Sequence, residues 1–293
     1  MDEISSTVVA VSSLVVGATS SLIVIFFSLA WARRKLPIAH NVAVIGYPRS
    51  GKTTLITALF AEIFSRKIKS LAVTPRGEET INRINDDIAR LERGDELGAT
   101  TDQDLFAYRA DMITGSGLFS TRYKIEIGDF PGEDSKELSG KDIRWLHDLP
   151  YFKWVLSADA FIFVVDSEKI MDEEVAKIIY RSQLTSSFRA AWQRLRDHHY
   201  DGAKELRAKP IALVFSKCDL LYDFPESQES DKDSFAAVEN RLLNEYSDLI
   251  AYLKSETEKF SVVFSSSFRK DSTTGVRMGI QELLEGVLPI RAV

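Results

Sequence analysis

The sequence predicts an α/β fold, in which helices cover both faces of a mostly parallel sheet and a single transmembrane helix precedes this three-layer sandwich. Three observations predict it. The stretch from Ile4 to Ala32 contains no charged residue. Beyond it, short β-branched apolar runs alternate with longer segments of helical periodicity, which is typical of parallel strands joined by helices. The first of these runs leads through a glycine-containing loop into a helix.

The composition excludes several classes of protein. The chain has 293 residues, of which 45% are hydrophobic, so it can bury a full hydrophobic core. The net charge of −6, without a long basic run, argues against nucleic acid as a partner. A single cysteine, Cys218, excludes an internal disulfide framework and a cysteine-rich zinc site.

The N-terminal segment predicts a membrane anchor. We expect residues 1–6 to form a short extracytoplasmic terminus, 7–32 a transmembrane helix and 33–40 a basic juxtamembrane linker. About 20 apolar residues suffice to cross a bilayer, and the basic cluster at 33–35 favours a cytoplasmic location for everything that follows. A signal peptide is the alternative, because residues 30–32 resemble a cleavage site; the acidic N-terminus and the long apolar run disfavour it.

Small residues recur along one face of this predicted helix. Ser13, Gly17 and Ser21 are spaced by four, which lets transmembrane helices approach closely. The pattern predicts a homo-oligomer, with chance spacing in a helix rich in serine and glycine as the alternative.

The remaining residues, 41–293, predict one domain with alternating elements. Apolar, β-branched runs bounded by turn residues predict strands, and apolar residues recurring every three or four positions predict helices. In chain order the pattern gives strand 41–46, helix 54–64, helix 76–93, strands 104–112, 121–128 and 160–166, helix 172–199, strand 210–216, helix 231–256, strand 260–265 and helix 276–288. A glycine-rich turn at 115–117 suggests that strands 104–112 and 121–128 pair as a hairpin, and residues 66–103 would form a helical insertion.

A phosphate-binding motif lies between the first strand and its helix. Residues 46–53 read GYPRSGKT and match the pattern GxxxxGK[ST], in the strand–loop–helix context that a P-loop requires. Backbone N–H groups of such a loop wrap phosphates, the lysine reaches the β- and γ-phosphates, and the hydroxyl ligates Mg²⁺. The motif therefore predicts a P-loop NTPase with Mg²⁺ as cofactor. Its predicted nucleotide-binding residues are Gly46, Arg49, Ser50, Gly51, Lys52, Thr53 and Thr54.

Three later segments narrow the nucleotide to GTP or GDP. Asp129 begins a DxxG sequence at a strand end, where its carboxylate would hold Mg²⁺ through water and the N–H of Gly132 would sense a γ-phosphate. In the sequence Ser216-Lys217-Cys-Asp219, the last carboxylate can accept from guanine N1–H and N2–H₂, while the lysine stem packs on the ring. After the next strand, backbone N–H groups at Ser265 and Ser266 would reach guanine O6, and Ser267 completes this serine run.

In these motifs, over residues 40–290, the chain resembles P-loop GTPases of the Ras-like, translation-factor-related class. Within that class it is similar to bacterial double-GTPase-type proteins, which carry an insertion before the DxxG strand, here including residues 91–101. An anchor followed by a GTPase domain also resembles the β subunit of the signal recognition particle receptor. The resemblance implies GTP hydrolysis, a protein effector or activating partner, and a single-pass location in the bacterial inner membrane with the N-terminus outside.

Departures from the family pattern bear on turnover. Ser216 replaces the usual Asn or Thr, although its hydroxyl can still bond to the P-loop, and Ser-Ser-Ser replaces Ser-Ala-Lys. Glu133 occupies the position of a water-orienting Gln or His, and its negative charge beside a phosphate implies slow hydrolysis. The predicted catalytic residues are Lys52, Glu133 and a switch threonine, either Thr100 or Thr101, with Thr74 as the runner-up.

Two functions remain open at this stage. An intact set of Lys52, Thr53 and Asp129 favours a membrane-anchored switch that hydrolyses GTP slowly and recruits a partner. Glu133 favours the alternative, a non-hydrolysing nucleotide-binding scaffold of a membrane-associated assembly. An ATP-driven motor is disfavoured because Asp219 opposes adenine.

Overall fold

A computed structural model describes residues 18–29, 31, 37–68, 72–95, 97, 106–114, 120–129, 150–199, 202–221, 231–271 and 274–289. Its strands form one seven-stranded sheet of order β2-β3-β4-β1-β5-β6-β7. The strands are β1 (Ile38–Gly46), β2 (Ala72–Pro75), β3 (Phe106–Thr114), β4 (Thr121–Asp129), β5 (Ala160–Asp166), β6 (Ile211–Ser216) and β7 (Phe260–Phe264).

The described helices lie mostly between these strands. They are α1 (18–29), α2 (Lys52–Phe64), α3 (Glu78–Arg93), α4 (Pro150–Leu156), α5 (Glu174–His198), α6 (Gly202–Ala208), α7 (Asp231–Glu245), α8 (Ser247–Glu256) and α9 (Ile280–Val287). Short 3₁₀ turns follow β5 and β6, at Ser167–Met171 and Cys218–Leu221.

The pairing of the strands confirms a mostly parallel sheet. Strand β1 is central and pairs in parallel with β4 on one side and β5 on the other, and β5, β6 and β7 continue in parallel. Strand β3 pairs antiparallel with β4, as predicted for the hairpin, and also with β2. Because parallel strands point the same way, the carboxyl ends of β1, β4, β5, β6 and β7 share one edge of the sheet.

The core has two halves, one on each face of the sheet. Successive residues of β1 alternate between them, with Val44 packing on one side and Ile45 on the other. Helices α2, α3 and α9 cover the first face, and α4, α5 and α8 cover the second, where Trp192 packs edge-on against Phe161. Strands β5 and β6 are buried along their whole length, which is typical of parallel strands covered on both faces.

Several predicted elements need correction. The single helix expected at 231–256 is two helices, α7 and α8, separated at Tyr246, whose ring is buried against Phe215 at 5.3 Å between centroids. The insertion at 66–103 is not wholly helical, since it contains strand β2 before α3. Three elements were not predicted, β2, α4 and α6, and each is only four to seven residues long.

The predicted membrane helix is described only in part. Residues 18–29 are helical, and Leu22, Ile25 and Leu29 are exposed on it. Within the described residues, no helix combines the length and the apolar character needed to cross a membrane. The rest of the 7–32 prediction, apart from Trp31, lies outside the described residues, as do the basic residues 33–35, Ser13 and Gly17.

Candidate nucleotide-binding site

The phosphate loop follows β1 at the shared edge of the sheet. A Cβ atom at Gly46 would lie 2.8 Å from Ser50 Oγ and 3.1 Å from the carbonyl oxygen of Val164, so this position requires glycine. Lys52, the first residue of α2, is buried and donates to the carbonyl oxygens of Gly46 (2.9 Å) and Tyr47 (3.1 Å). These bonds fold the loop around the lysine, as expected for a P-loop.

The loop contains two residues in left-handed conformation. Gly51 has φ 85° and precedes α2, whose first turn carries no acidic residue, so the positive end of the helix dipole is available to an anion. Arg49 has φ 62°, which is strained for a residue with a Cβ atom. Its exposed side chain places a second cation on the loop beside Lys52. Ser50 Oγ is buried and, among the described residues, has no hydrogen-bond partner.

The predicted magnesium ligands lie side by side. Thr53 Oγ1 donates to Asp129 Oδ1 at 3.2 Å, joining the first turn of α2 to the end of β4. The Asp129 side chain is fully buried. Mg²⁺ is usually bound by one or two protein oxygen ligands together with phosphates and water, and this pair fits that chemistry. Thr54 lies next on the same helix turn.

The Ser216 hydroxyl connects β6 to the phosphate loop, as predicted. Its Oγ donates to the carbonyl oxygen of Ser50 (2.7 Å) and lies 3.0 Å from that of Val165. Because Ser216 ends β6 and Ser50 lies within the loop, this contact fixes the base-proximal segment relative to the phosphate cradle.

Lys217 adopts a conformation suited to a site residue but is held by two carboxylates. It has φ 56°, and its Nζ donates to Asp166 Oδ2 (2.8 Å) and Glu168 Oε2 (3.0 Å). Burial by itself disfavours the ammonium, yet the two carboxylates raise the pKa of Lys217 above its usual value. Burial also raises the pKa of the Asp166 carboxyl, against the effect of Lys217. The lysine therefore stays charged, with its stem beside Gly51.

Asp219 presents a buried acceptor without a donor. Its Oδ1 is buried and, within the described part of the chain, accepts no hydrogen bond. A buried carboxylate oxygen without a partner is costly, so a ligand that donates to it would be favoured. Guanine offers two adjacent N–H donors, N1 and N2, whereas adenine offers no donor at N1.

The serine run after β7 needs a correction of register. The N–H of Ser265 donates to the carbonyl of Phe215, and the N–H of Ser266 donates to that of Met278, so neither is available to guanine O6. The Ser266 hydroxyl accepts from the N–H of Phe268 and Arg269. The following residue, Ser267, has no acceptor for its N–H among the described residues, which leaves this group available to a ligand.

The structure leaves the other predicted site residues untested. Gly132, Glu133, Thr100 and Thr101 lie outside the described residues. Thr74 lies on the edge strand β2, where its hydroxyl is 3.5 Å from the carbonyl oxygen of Asp111. This strand is three positions from β1, about 14 Å at the usual strand spacing, so the choice of Thr74 as a magnesium ligand stays a prediction.

Sequence reasoning missed the residues that border the loop on its other side. A cavity of about 250 Å³ is bounded by the loop, β5 and α5. Tyr47 packs edge-on against Tyr180 (6.0 Å between centroids), and the hydroxyl of Tyr180 accepts from the N–H of Asp166. The position of Asp166 at the end of a strand beside β1 was the available signal, because all such ends meet at this edge.

The family model for double-GTPase 2 matches residues 40–288, which is most of the chain. A search among curated proteins finds no match.

Two solved structures are similar at low identity. The bacterial selenocysteine-specific elongation factor EF-Sec is 20% identical, with a TM-score of 0.36, over 86% of this chain and 28% of its own length. The GDP-bound RocCORdC of Methanosarcina barkeri Roco2 is 14% identical, with a TM-score of 0.35, over 85% of this chain and 48% of its own. The chain thus spans less than half of either protein, and neither similarity adds to the assignment. With a P-loop, a Thr53–Asp129 pair and an aspartate at the guanine position, and with the family model covering residues 40–288, the chain belongs to the double-GTPase 2 family of GTP-binding proteins.

Proposed function

We propose that this protein is a membrane-anchored GTPase switch that binds GTP with Mg²⁺, hydrolyses it slowly and recruits a protein partner in its GTP form. One observation carries the proposal. The Oδ1 oxygen of Asp219 is buried without a hydrogen-bond partner among the described residues, on a segment that Ser216 connects to the phosphate loop. It supports guanine binding at one end of a site whose other end fits triphosphate.

The residues at the phosphate end support hydrolysis of the γ-phosphate. Lys52 would leave its loop carbonyl partners to neutralise charge that develops on the phosphates as water attacks in line. Thr53 and Asp129 would hold Mg²⁺, which screens charge on the β- and γ-phosphate oxygens. Arg49 adds positive charge to the loop. Glu133 would place a carboxylate where the transition state is already anionic, which is why we propose slow turnover.

The proposed location rests on the sequence of the N-terminal segment. An anchor at 7–32 followed by the basic residues 33–35 would place the GTP-binding domain on the cytoplasmic side of a bacterial inner membrane. Such an arrangement would resemble that of the β subunit of the signal recognition particle receptor. The small-residue stripe supports self-association as a second kind of partnership.

A non-hydrolysing scaffold is the second candidate, and Glu133 is the observation that favours it. Single-turnover hydrolysis of GTP by the purified full-length protein with Mg²⁺ separates the two. We expect a rate well below 1 per second that Lys52→Ala abolishes. An arginine supplied by a partner typically adds ~10³–10⁵ in rate, so slow turnover alone is compatible with a switch.

The outcomes of this measurement are distinct. GTP that stays intact with wild-type protein, bound at full occupancy, would establish the scaffold. A rate of 1 per second or faster, unchanged on dilution, would contradict slow turnover and indicate that a residue of the same chain completes the site.

A further inference from the structure

The loop between β7 and α9 folds back on itself beside the predicted base contact. The Ser266 N–H donates to the carbonyl of Met278 at 3.2 Å, so the returning segment lies against the outgoing one. A Cβ atom at Gly279 (φ 75°) would lie 2.2 Å from the carbonyl oxygen of Phe264. The returning segment is therefore held tightly against the end of β7.

Arg277, in the returning segment, is almost fully buried, and each of its three guanidinium nitrogens has a partner. It is 3% exposed. Its Nε donates to the carbonyl oxygen of Ser267 (2.8 Å), its Nη1 pairs with Glu62 Oε1 (2.5 Å), and its Nη2 pairs with Glu92 Oε1 (2.5 Å). One side chain thus joins the serine loop to α2 and α3.

The contact of Arg277 with Glu62 connects the serine loop, at the base end of the proposed site, to the helix that begins at the phosphate end. Glu62 is fully buried near the end of α2, the helix that begins with Lys52. Removing the arginine would leave this carboxylate buried without its closest partner, which is strongly unfavourable. Lys67 is the other cation near it, at 3.9 Å. Arg277 therefore fixes the serine loop at a set distance from the helix that carries the phosphate lysine.

We propose that Arg277 is a positioning residue for recognition of guanine O6. It holds the carbonyl of Ser267, the residue whose N–H we assign to guanine O6, and so limits the movement of the adjoining peptide unit that carries this N–H. The inference rests on the proposed function, because it needs a guanine nucleotide in the site. It also makes retention of the base depend on α3 through Glu92.

Glu92 is the accessible member of this network. Its side chain is 48% exposed and also pairs with Lys270 Nζ (3.1 Å). The two cations lower the pKa of Glu92, with the hydrogen bond from Lys270 as the largest cause. Glu92→Gln keeps the shape of the side chain and removes its charge without removing buried atoms. We therefore expect this variant to fold even if an Arg277 variant does not.

The test compares nucleotides that differ at the base in the full-length protein. Dissociation of fluorescent GDP and affinities for GDP, IDP, ADP and inorganic tripolyphosphate are measured for wild type, Arg277→Lys, Glu92→Gln and Lys270→Met. We expect Arg277→Lys to release GDP at least tenfold faster and Glu92→Gln to release it a few-fold faster. Guanine and hypoxanthine share O6, so affinities for GDP and IDP should fall together while those for ADP and tripolyphosphate stay constant.

The controls separate positioning from general stability. Lys270→Met, which removes the exposed partner of Glu92 and leaves the bonds of Arg277 to Ser267 and Glu62 in place, should release GDP at the wild-type rate. The inference would be overturned if the variants lost affinity for tripolyphosphate as well as for GDP. It would also be overturned if Arg277→Lys left the ratio of GDP to ADP affinity unchanged. If Arg277→Lys does not fold, the same criterion applies to Glu92→Gln. Wild-type protein without preference for GDP over ADP would instead overturn the proposed function, and this inference with it.

Discussion

Arg49 and Arg66 are two of the three non-glycine residues with positive φ in the described chain, the third being Lys217. A left-handed backbone conformation costs a residue with a Cβ atom about 1–2 kcal/mol. A substitution by glycine removes this cost, but glycine also increases the conformational entropy of the unfolded chain, which offsets part of the gain in stability. Arg49 lies in the phosphate loop, whereas Arg66 lies just beyond the end of α2. The two positions therefore have the same kind of backbone strain, but only Arg49 is part of the phosphate loop.

This contrast gives a paired prediction. Arg49→Gly and Arg66→Gly should each raise the free energy of unfolding by roughly 0.5–1 kcal/mol, because both relieve the same strain. Only Arg49→Gly should weaken GTP binding, by several-fold, since only it removes a cation from the phosphate loop. Denaturant unfolding and nucleotide titration of both variants measure this. Equal effects on GTP affinity would show that the Arg49 side chain does not contact the nucleotide.

At the scale of elements, the long periodic segments were predictable and the short ones were not. Strand β5 and helix α3 were predicted within two residues at each end, because a continuous apolar run and a clear apolar stripe identify them. Strand β2 has four residues ending in Pro75, and its pairing with β3 is a tertiary contact that no local pattern shows. The break at Tyr246 likewise depends on burial of that ring against Phe215.

The candidate site also has a part that could be predicted from the sequence and a part that could not. The phosphate loop, the Thr53–Asp129 pair and the Ser216 contact follow from motif and strand order alone. The sequence does not show that the N–H groups of Ser265 and Ser266 are already used in hydrogen bonds, and for this reason we propose the base contact one residue later, at Ser267. The role of Arg277 depends on side chains more than 180 residues apart in sequence and was not accessible from the sequence.

The N-terminal helix carries its own prediction. If residues 7–32 anchor the chain with residues 33–35 inside, protease added to intact spheroplasts should leave the domain undigested. Protease added after lysis should digest it, which serves as the positive control. Digestion without lysis would place the domain outside and support the signal-peptide alternative.

For the whole molecule, the central claim is selection of guanine nucleotides at the shared carboxyl edge of the sheet. The two halves of the core hold five strand ends at that edge, so the phosphate loop and the loops after β6 and β7 lie on one packed sheet. We expect Asp219 to supply the acceptor that discriminates guanine from adenine. Leaving buried donors of the base unpaired costs about 1–3 kcal/mol, so Asp219→Ala should weaken GDP binding roughly tenfold or more.

The most direct measurement is the affinity of the full-length protein, with Mg²⁺, for GDP, ADP and xanthosine diphosphate, in wild type and Asp219→Asn. We expect wild type to prefer GDP to ADP by tenfold or more. Asp219→Asn should shift the preference toward the xanthine nucleotide, whose added carbonyl accepts where guanine donates. Equal affinity of wild type for GDP and ADP, or an unchanged order of preference in Asp219→Asn, would contradict the selection of guanine by Asp219.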